Sequence, residues 1–245
     1  MNPRKKDPDF LVKPEWRYNN GRVGFKVRLL RFIASFTSAW CDVVIKPNPN
    51  GDMISTEQRL NLHHLLLSVI HSPLKSDILE FGAFEGQASV QIAETMAYFD
   101  SQVQLHLYDN FSAKYNGHSN VKNRLIDNFN QRQLPLPIIH EMNIEDLLSE
   151  DLPNKISFMH IDIGIGQSTE KLQATILHIL HLTYSIMEPG AVCLLMDYHD
   201  REKQAGSTNP NPGVKLACDL FLNDKPEKIV VLFGGPYSHA YFRKI

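Results

Sequence analysis

Residues Glu80-Phe81-Gly82-Ala83-Phe84-Glu85-Gly86 end an apolar run and open a helical stretch. Gly82 permits a tight turn, and Gly86 lets the helix start close to a ligand. Backbone N–H groups at such a helix start favour a negative group such as a carboxylate. Ala83 lies between the glycines. Glu80 and Glu85 would repel a diphosphate but suit a ligand carrying an ammonium and a sulfonium. Asp109 ends the next apolar run, 23 residues after Gly86. A carboxylate there can accept ribose hydroxyls, as it does for NAD, FAD and S-adenosylmethionine alike. The acidic loop therefore discriminates, and it points to S-adenosyl-L-methionine. The plain alternative for the two glycines is a structural turn. A second group of residues could act on an acceptor: Asp162 after a later strand, and His199 after another.

These residues need a scaffold that gathers strand ends. From Ser76 onward short apolar runs alternate with helical stretches. Strands are predicted at Asp77–Phe81, Val103–Tyr108, Pro137–His140, Ile156–Ile161, Ala191–Met196 and Lys228–Phe233. Helices are predicted at Gln87–Tyr98, Asn120–Asn130, Ser168–Met187 and Val214–Leu222. Ser55 caps a helix over Thr56–Ile70. The alternation predicts an α/β fold, a Rossmann-like, seven-stranded, mostly parallel sheet with helices on both faces. Only five residues separate Lys228–Phe233 from His239–Arg243. So short a connection makes a hairpin, hence an antiparallel C-terminal strand. Residues 1–52 read as an N-terminal arm and helical extension, a lid or an oligomer contact, and 53–245 as the main domain. His63 and His64 are adjacent on a helix and cannot share a face, so they are not a joint metal site. His178 and His181 read as core or surface residues.

The 245 residues suit one large domain, and 43% hydrophobic residues is ordinary for a globular chain. A net charge of −2 offers no chain-wide basic field, so neither nucleic acid nor a membrane is expected as partner. Arg4, Lys5 and Lys6 read as a solvated tail. Cys41, Cys193 and Cys218 form neither a C-x-x-C pair nor a disulfide framework, which predicts a reducing, cytoplasmic setting. The polar, Pro-containing start predicts no signal peptide. Phe32–Ile45 is too short for a bilayer, which takes about 20 apolar residues. The 26–45 helix should pack on the domain, on a partner in a homodimer, or over a site.

With these elements placed, the sequence resembles class I methyltransferases of the macrocin O-methyltransferase family, from about Met53 to Lys244. Met53-Ile54-Ser55-Thr56-Glu57-Gln58-Arg59-Leu60 resembles the family's opening helix, and Glu80-Phe81-Gly82 its first motif. Tyr108-Asp109-Asn110-Phe111 is similar to its D-S-F segment. Ile161-Asp162-Ile163-Gly164-Ile165-Gly166-Gln167-Ser168-Thr169 is similar to its I-D-G-D-L-Y-E-S-T. Pro189-Gly190 and Met196-Asp197-Tyr198-His199 align with its P-G-G and D-D-Y segments. Pro212-Gly213-Val214-Lys215 and Tyr241-Phe242-Arg243-Lys244 also resemble it. The resemblance implies O-methylation of a small hydroxylated acceptor, a natural-product sugar or aglycone. It also implies a divalent metal, usually Mg2+, on the first Asp of D-G-D and the paired Asp of D-D-Y. In this chain Asp162 survives, Gly164 replaces the second Asp, and Met196 replaces the first Asp of D-D-Y, leaving Asp197. A thioether is a poor magnesium ligand. Asp162 and Asp197 remain as the candidate metal ligands, and the altered set predicts activity without metal.

Methyl transfer to an alcohol needs a base. Asp162, the family's base or metal position, is the first candidate, and it also belongs to the cofactor-binding set. His199 is the second; it reads equally as an exposed loop residue. His160 reads as a buried structural histidine. Asn110 belongs with Asp109, and Met142-Asn143-Ile144 occupies the place expected to meet adenine, with Asn143 as its polar member. Phe111 is either a stacking residue or core. The polar loop Asp200–Asn211 is expected to form a lid and select the acceptor. Gly164 and Met196 also raise an alternative: a cofactor-binding but catalytically weak relative serving as partner or scaffold. A nicotinamide oxidoreductase is a third reading, disfavoured by the acidic loop and the closing hairpin.

Overall fold

Two sets of apolar side chains, leaving alternate positions of the same strands, bury the two faces of one sheet. The computed structural model describes residues 18–19, 22–23, 25–36, 53–113, 120–164, 166–200, 209–234 and 237–245. In chain order the elements are β1 (Tyr18–Asn19), β2 (Arg22–Val23), α1 (Phe25–Ser35), α2 (Thr56–Ile70), β3 (Asp77–Phe81), α3 (Gln87–Tyr98), β4 (Leu105–Asp109), α4 (Val121–Gln131) and β5 (Ile138–Glu141). There follow β6 (Ile156–Ile161), α5 (Thr169–Tyr184), β7 (Met187–Met196), α6 (Pro212–Leu222), β8 (Val230–Leu232) and β9 (His239–Arg243). The large sheet has the order β5-β4-β3-β6-β7-β9-β8. Its strands are parallel except β9, which runs antiparallel between β7 and β8.

On one face Leu79, Phe81, Met159, Ile161, Cys193 and Leu195 pack with Ile176, Ile179 and Leu180 of α5 and Cys218 and Phe221 of α6. On the other, Ile78, Leu107, Phe158 and Leu194 pack with Leu62 and Leu66 of α2, Ile92 of α3, and Leu125 and Phe129 of α4. Helices thus cover both faces, as the alternation predicts. The winding reverses between β3 and β6: β4 and β5 lie to one side, β6 and β7 to the other. In open sheets ligands bind beyond the strand ends at such a reversal.

The start of α2 is held by a reciprocal capping box. The Ser55 hydroxyl accepts from the Gln58 amide at 3.0 Å, and the Ser55 amide donates to Gln58 Oε1 at 2.8 Å. The same hydroxyl donates to the Gly234 carbonyl at 2.7 Å, tying α2 to the β8–β9 turn. Ser55→Ala should therefore destabilise the fold by about 1–2 kcal/mol, read as a lower urea midpoint. An unchanged midpoint would show that the cap contributes nothing.

Several boundaries differ from expectation. β7 begins at Met187, not Ala191, because Met187 pairs with Ile156 and Gly190 donates to Lys244 O at 2.7 Å. That pairing ends α5 at Tyr184, three residues early. β4 begins at Leu105 and β8 is cut to Val230–Leu232. Phe25, Leu29, Phe32 and Ile33 of α1, and Phe36 just after it, are exposed. The Arg4-Lys5-Lys6 cluster, Cys41, residues 37–52 and most of the 200–211 loop lie outside the described residues. No helix among the described residues is long and apolar enough to cross a membrane.

Candidate functional site

The ends of β3, β4, β6 and β7 bring Gly82, Asp109, Asp162 and Asp197 to one edge of the sheet. Gly82 is required there for two reasons. Its φ is +85°, and a Cβ would fall 2.0 Å from the Asp162 carbonyl oxygen. The backbones after β3 and β6 are thus in contact at the winding reversal, with Gly82 N–H on Tyr108 O at 2.9 Å and Asp162 N–H on Phe81 O at 2.8 Å. Gly86 (φ +84°) caps α3 with no side-chain bond, so the positive end of that helix dipole has no capping side chain. Its lack of a Cβ matters for packing against Leu125 of α4, 3.0 Å away, which is a different reason from ligand approach.

Asp109 is the hub of this edge. Its Oδ2 accepts from the amides of Ala83 and Phe84 at 2.8 and 2.9 Å, and its Oδ1 from Phe111 N–H at 2.6 Å. A carboxylate offers about four acceptor positions. Three are taken, so the two ribose hydroxyls expected there can both bind only if a loop amide yields. Asn110 and Asn143 do come together: Asn110 Nδ2 donates to Asn143 Oδ1 at 3.0 Å, and Asn143 Nδ2 reaches Asp146 Oδ2 at 3.2 Å. Both are exposed. Met142 and Ile144 pack against the α5–α6 core, and Phe111 against the other core.

The loop's two glutamates turn inward. Glu80 is 1% exposed; it accepts from the Ser89 hydroxyl and pairs with His160 Nδ1 at 3.0 Å. Glu80 and His160 occupy matched positions on neighbouring strands, which is why they meet. Burial opposes a charge on His160, but the hydrogen bond and charge of Glu80, with Asp162 beyond, raise its pKa. Glu85, also buried, pairs with Arg124 at 3.3 Å. Partners within the chain therefore answer both charges, and the loop is less able to select a cationic ligand than its sequence predicts.

Asp162 is half-buried, and its pKa is pushed up to about 7. Burial is the main cause; His160 opposes it, and Asp197, Glu80 and Asp109 add to it. Asp197 has a left-handed φ of +59°, and burial raises its pKa too, against a hydrogen bond from Asn211. That bond runs from Asn211 Nδ2 to Asp197 Oδ2 at 2.6 Å. His199 is buried, with Nδ1 3.0 Å from the Ser238 hydroxyl, so it is not the exposed loop residue of one expectation. Met196 points into the fold opposite His239 and is 6% exposed.

The donor set does not fit magnesium. Gly164 supplies no ligand, Met196 is a buried thioether, and an N–H donor covers one oxygen of Asp197. Among the described residues no group of three or more His, Cys, Asp or Glu could hold a metal ion. The sequence reading missed Asn211 and the Glu80–His160 pair. Asn before Pro212 is a helix-capping signal, yet nothing in sequence says that this side chain leaves the helix for Asp197. His63 is buried with Nδ1 3.3 Å from Thr95 Oγ1, while His64 is exposed. His178 Nε2 donates to Leu147 O, 2.8 Å away, and His181 packs edge-on to Phe221.

With that geometry in hand, known proteins give a consistent picture of architecture. The O-methyltransferase NovP superposes with a TM-score of 0.59 at 16% identity, covering 79% of this chain and 82% of its own. The chain has a Rossmann-like methyltransferase fold. The O-methyltransferase from Bacillus cereus in complex with SAH gives 0.55 at 13% identity, over 97% and 94% of the two chains. SAH-bound PaMTH1 from Podospora anserina gives 0.55 at 13%, over 96% and 98%. At these identities the likeness is one of fold. No family model and no curated protein matches the sequence.

Proposed function

We propose that this chain is an S-adenosylmethionine-dependent methyltransferase that methylates an oxygen of a small hydroxylated acceptor, with Asp162 as base. The observation that carries this reading is the meeting of Gly82 and Asp162 at the winding reversal. It puts a glycine turn and a carboxyl group with a pKa of about 7 side by side. Two structural neighbours described as O-methyltransferases, one of them with SAH, and an SAH-bound methyltransferase support the same reading.

S-adenosylmethionine, when bound, supplies a methyl group on a sulfonium, ready for in-line attack. The residues present fit such a group. The α3 N-terminus would face its carboxylate, Asp109 has one acceptor position left for a ribose hydroxyl, and Asn110 with Asn143 would border the base. Asp162 would take the proton as the acceptor oxygen attacks and the carbon–sulfur bond breaks toward sulfur. A pKa near the working pH is where a general base is most effective. His199, oriented by Ser238, would line the acceptor side.

Calorimetry with S-adenosylmethionine, S-adenosylhomocysteine and NAD tests the cofactor assignment. Binding of the first two and not of NAD is expected; the reverse would overturn it. One observation favours the scaffold reading: Ala83, Phe84 and Glu85 are buried, and Asp109 holds the loop amides. Cofactor binding without transfer to any hydroxylated acceptor would decide for it.

A further inference from the structure

We infer that Asn211 stands in for a divalent cation at Asp197, so that this site is completed from within the chain and excludes a metal. Four observations converge. The Asn211 amide nitrogen lies 2.6 Å from Asp197 Oδ2. The opposite orientation would set two oxygens against each other, so the nitrogen must face the carboxylate. Gly164 makes the space: a Cβ there would fall 2.8 Å from Asn211 Nδ2 and 2.9 Å from its Cγ. Any side chain at 164, an aspartate included, would push the amide away from its place on Asp197. The two positions therefore depend on each other, and glycine at 164 is the counterpart of asparagine at 211.

Asn211 also occupies the N-cap of α6 yet makes no capping bond. The side chain reaches instead to Asp197, on a strand end 14 residues earlier. Finally, Asp197 sits in a left-handed backbone conformation, which Asp and Asn adopt more readily than other non-glycine residues. A buried carboxylate without a partner is unfavourable, and a hydrogen bond from an amide removes most of that penalty. A cation entering the site would have to displace this bond and, among the described residues, would find no group of three carboxylates to hold it.

Manganese is the probe, because its spin-resonance signal falls when the aqua ion is bound. The full chain is titrated with Mn2+ as wild type, Asn211→Asp, Asn211→Ala, and Asn211→Asp with Asp197→Asn, each checked for folding by circular dichroism. Wild type should leave the signal of millimolar manganese intact. Asn211→Asp, with a third carboxylate, should bind it at least about ten-fold more tightly, and Asp197→Asn should abolish that gain. Asn211→Ala, which opens Asp197, should show a smaller gain and serves if the aspartate variant does not fold. Manganese uptake by wild type that disappears in a fifth protein, the Asp197→Asn single variant, would overturn the inference. So would folded Asn211→Asp and Asn211→Ala proteins that both leave the signal unchanged. The consequence for catalysis, transfer that survives a chelator, rests on the methyltransferase reading. The manganese titration does not, so failure of either is seen separately.

Discussion

Asp162→Asn should slow methyl transfer roughly 10²- to 10⁴-fold while leaving affinity for S-adenosylmethionine nearly intact. The wild-type rate should rise with pH through about 7 and then level off, because the working form is the carboxylate. The same change should stabilise the protein above neutral pH. In the unfolded chain this carboxyl ionises near 3.8, whereas in the native state it holds its proton until about 7. Between those values the native state binds more protons, so stability falls as pH rises through the window and stays lower above it. Asparagine carries no proton to lose. Its melting temperature should therefore exceed that of wild type at pH 8, and the difference should vanish near pH 4. A variant with undiminished transfer would remove Asp162 from the mechanism, and one less stable at pH 8 would show that its carboxylate is held favourably.

Gly82→Ala should be the most damaging single methyl in the molecule. The added carbon would meet the Asp162 backbone, which is fixed in the neighbouring strand end, at 2.0 Å. Left-handed strain adds about 1–2 kcal/mol, and the overlap takes the total to about 4 kcal/mol or more. Two other glycines calibrate this. Gly86→Ala meets only the movable Leu125 side chain, and at Gly166 (φ +76°) nothing lies within 4 Å. Both should lose about the backbone strain alone. Urea unfolding of the three variants gives the order directly. A Gly82→Ala protein as stable as Gly166→Ala would mean that the two strand ends are not in contact.

The sequence revealed the frame because each element carries its own signal. Asp77–Phe81 and Gln87–Tyr98 have the predicted bounds, since an apolar run, a glycine turn and a helical stretch follow one another. The hairpin was legible from its short connection. Its position was not: β9 inserts between β7 and β8, and adjacency of strands is not a local property. The site divides in the same way. Gly82, Asp109 and Asp162 were legible as residues at strand ends. That Glu80 would spend its charge on His160, and Glu85 on Arg124, depends on which strand lies beside which and on how α4 packs. Charge counted along the chain therefore overstated what the loop offers a ligand. Asn211 reaches Asp197 through space opened by a glycine 47 positions away in sequence, and no spacing rule finds such a pairing.

The place of β9 has a consequence for the order in which the molecule assembles. β8 precedes β9 in the chain, but among the described residues β9 is its only neighbour in the sheet. The earlier segment must wait for the later one to dock. Until then β7 presents open hydrogen-bonding groups along Val192–Met196, the stretch that β9 covers, and an exposed strand of that kind invites pairing with other chains. Ser238 and His239 arrive in the same step, bringing His199 and Asn61 their partners. A folding intermediate that has formed β3 to β7 would thus be both aggregation-prone and without Ser238 beside His199.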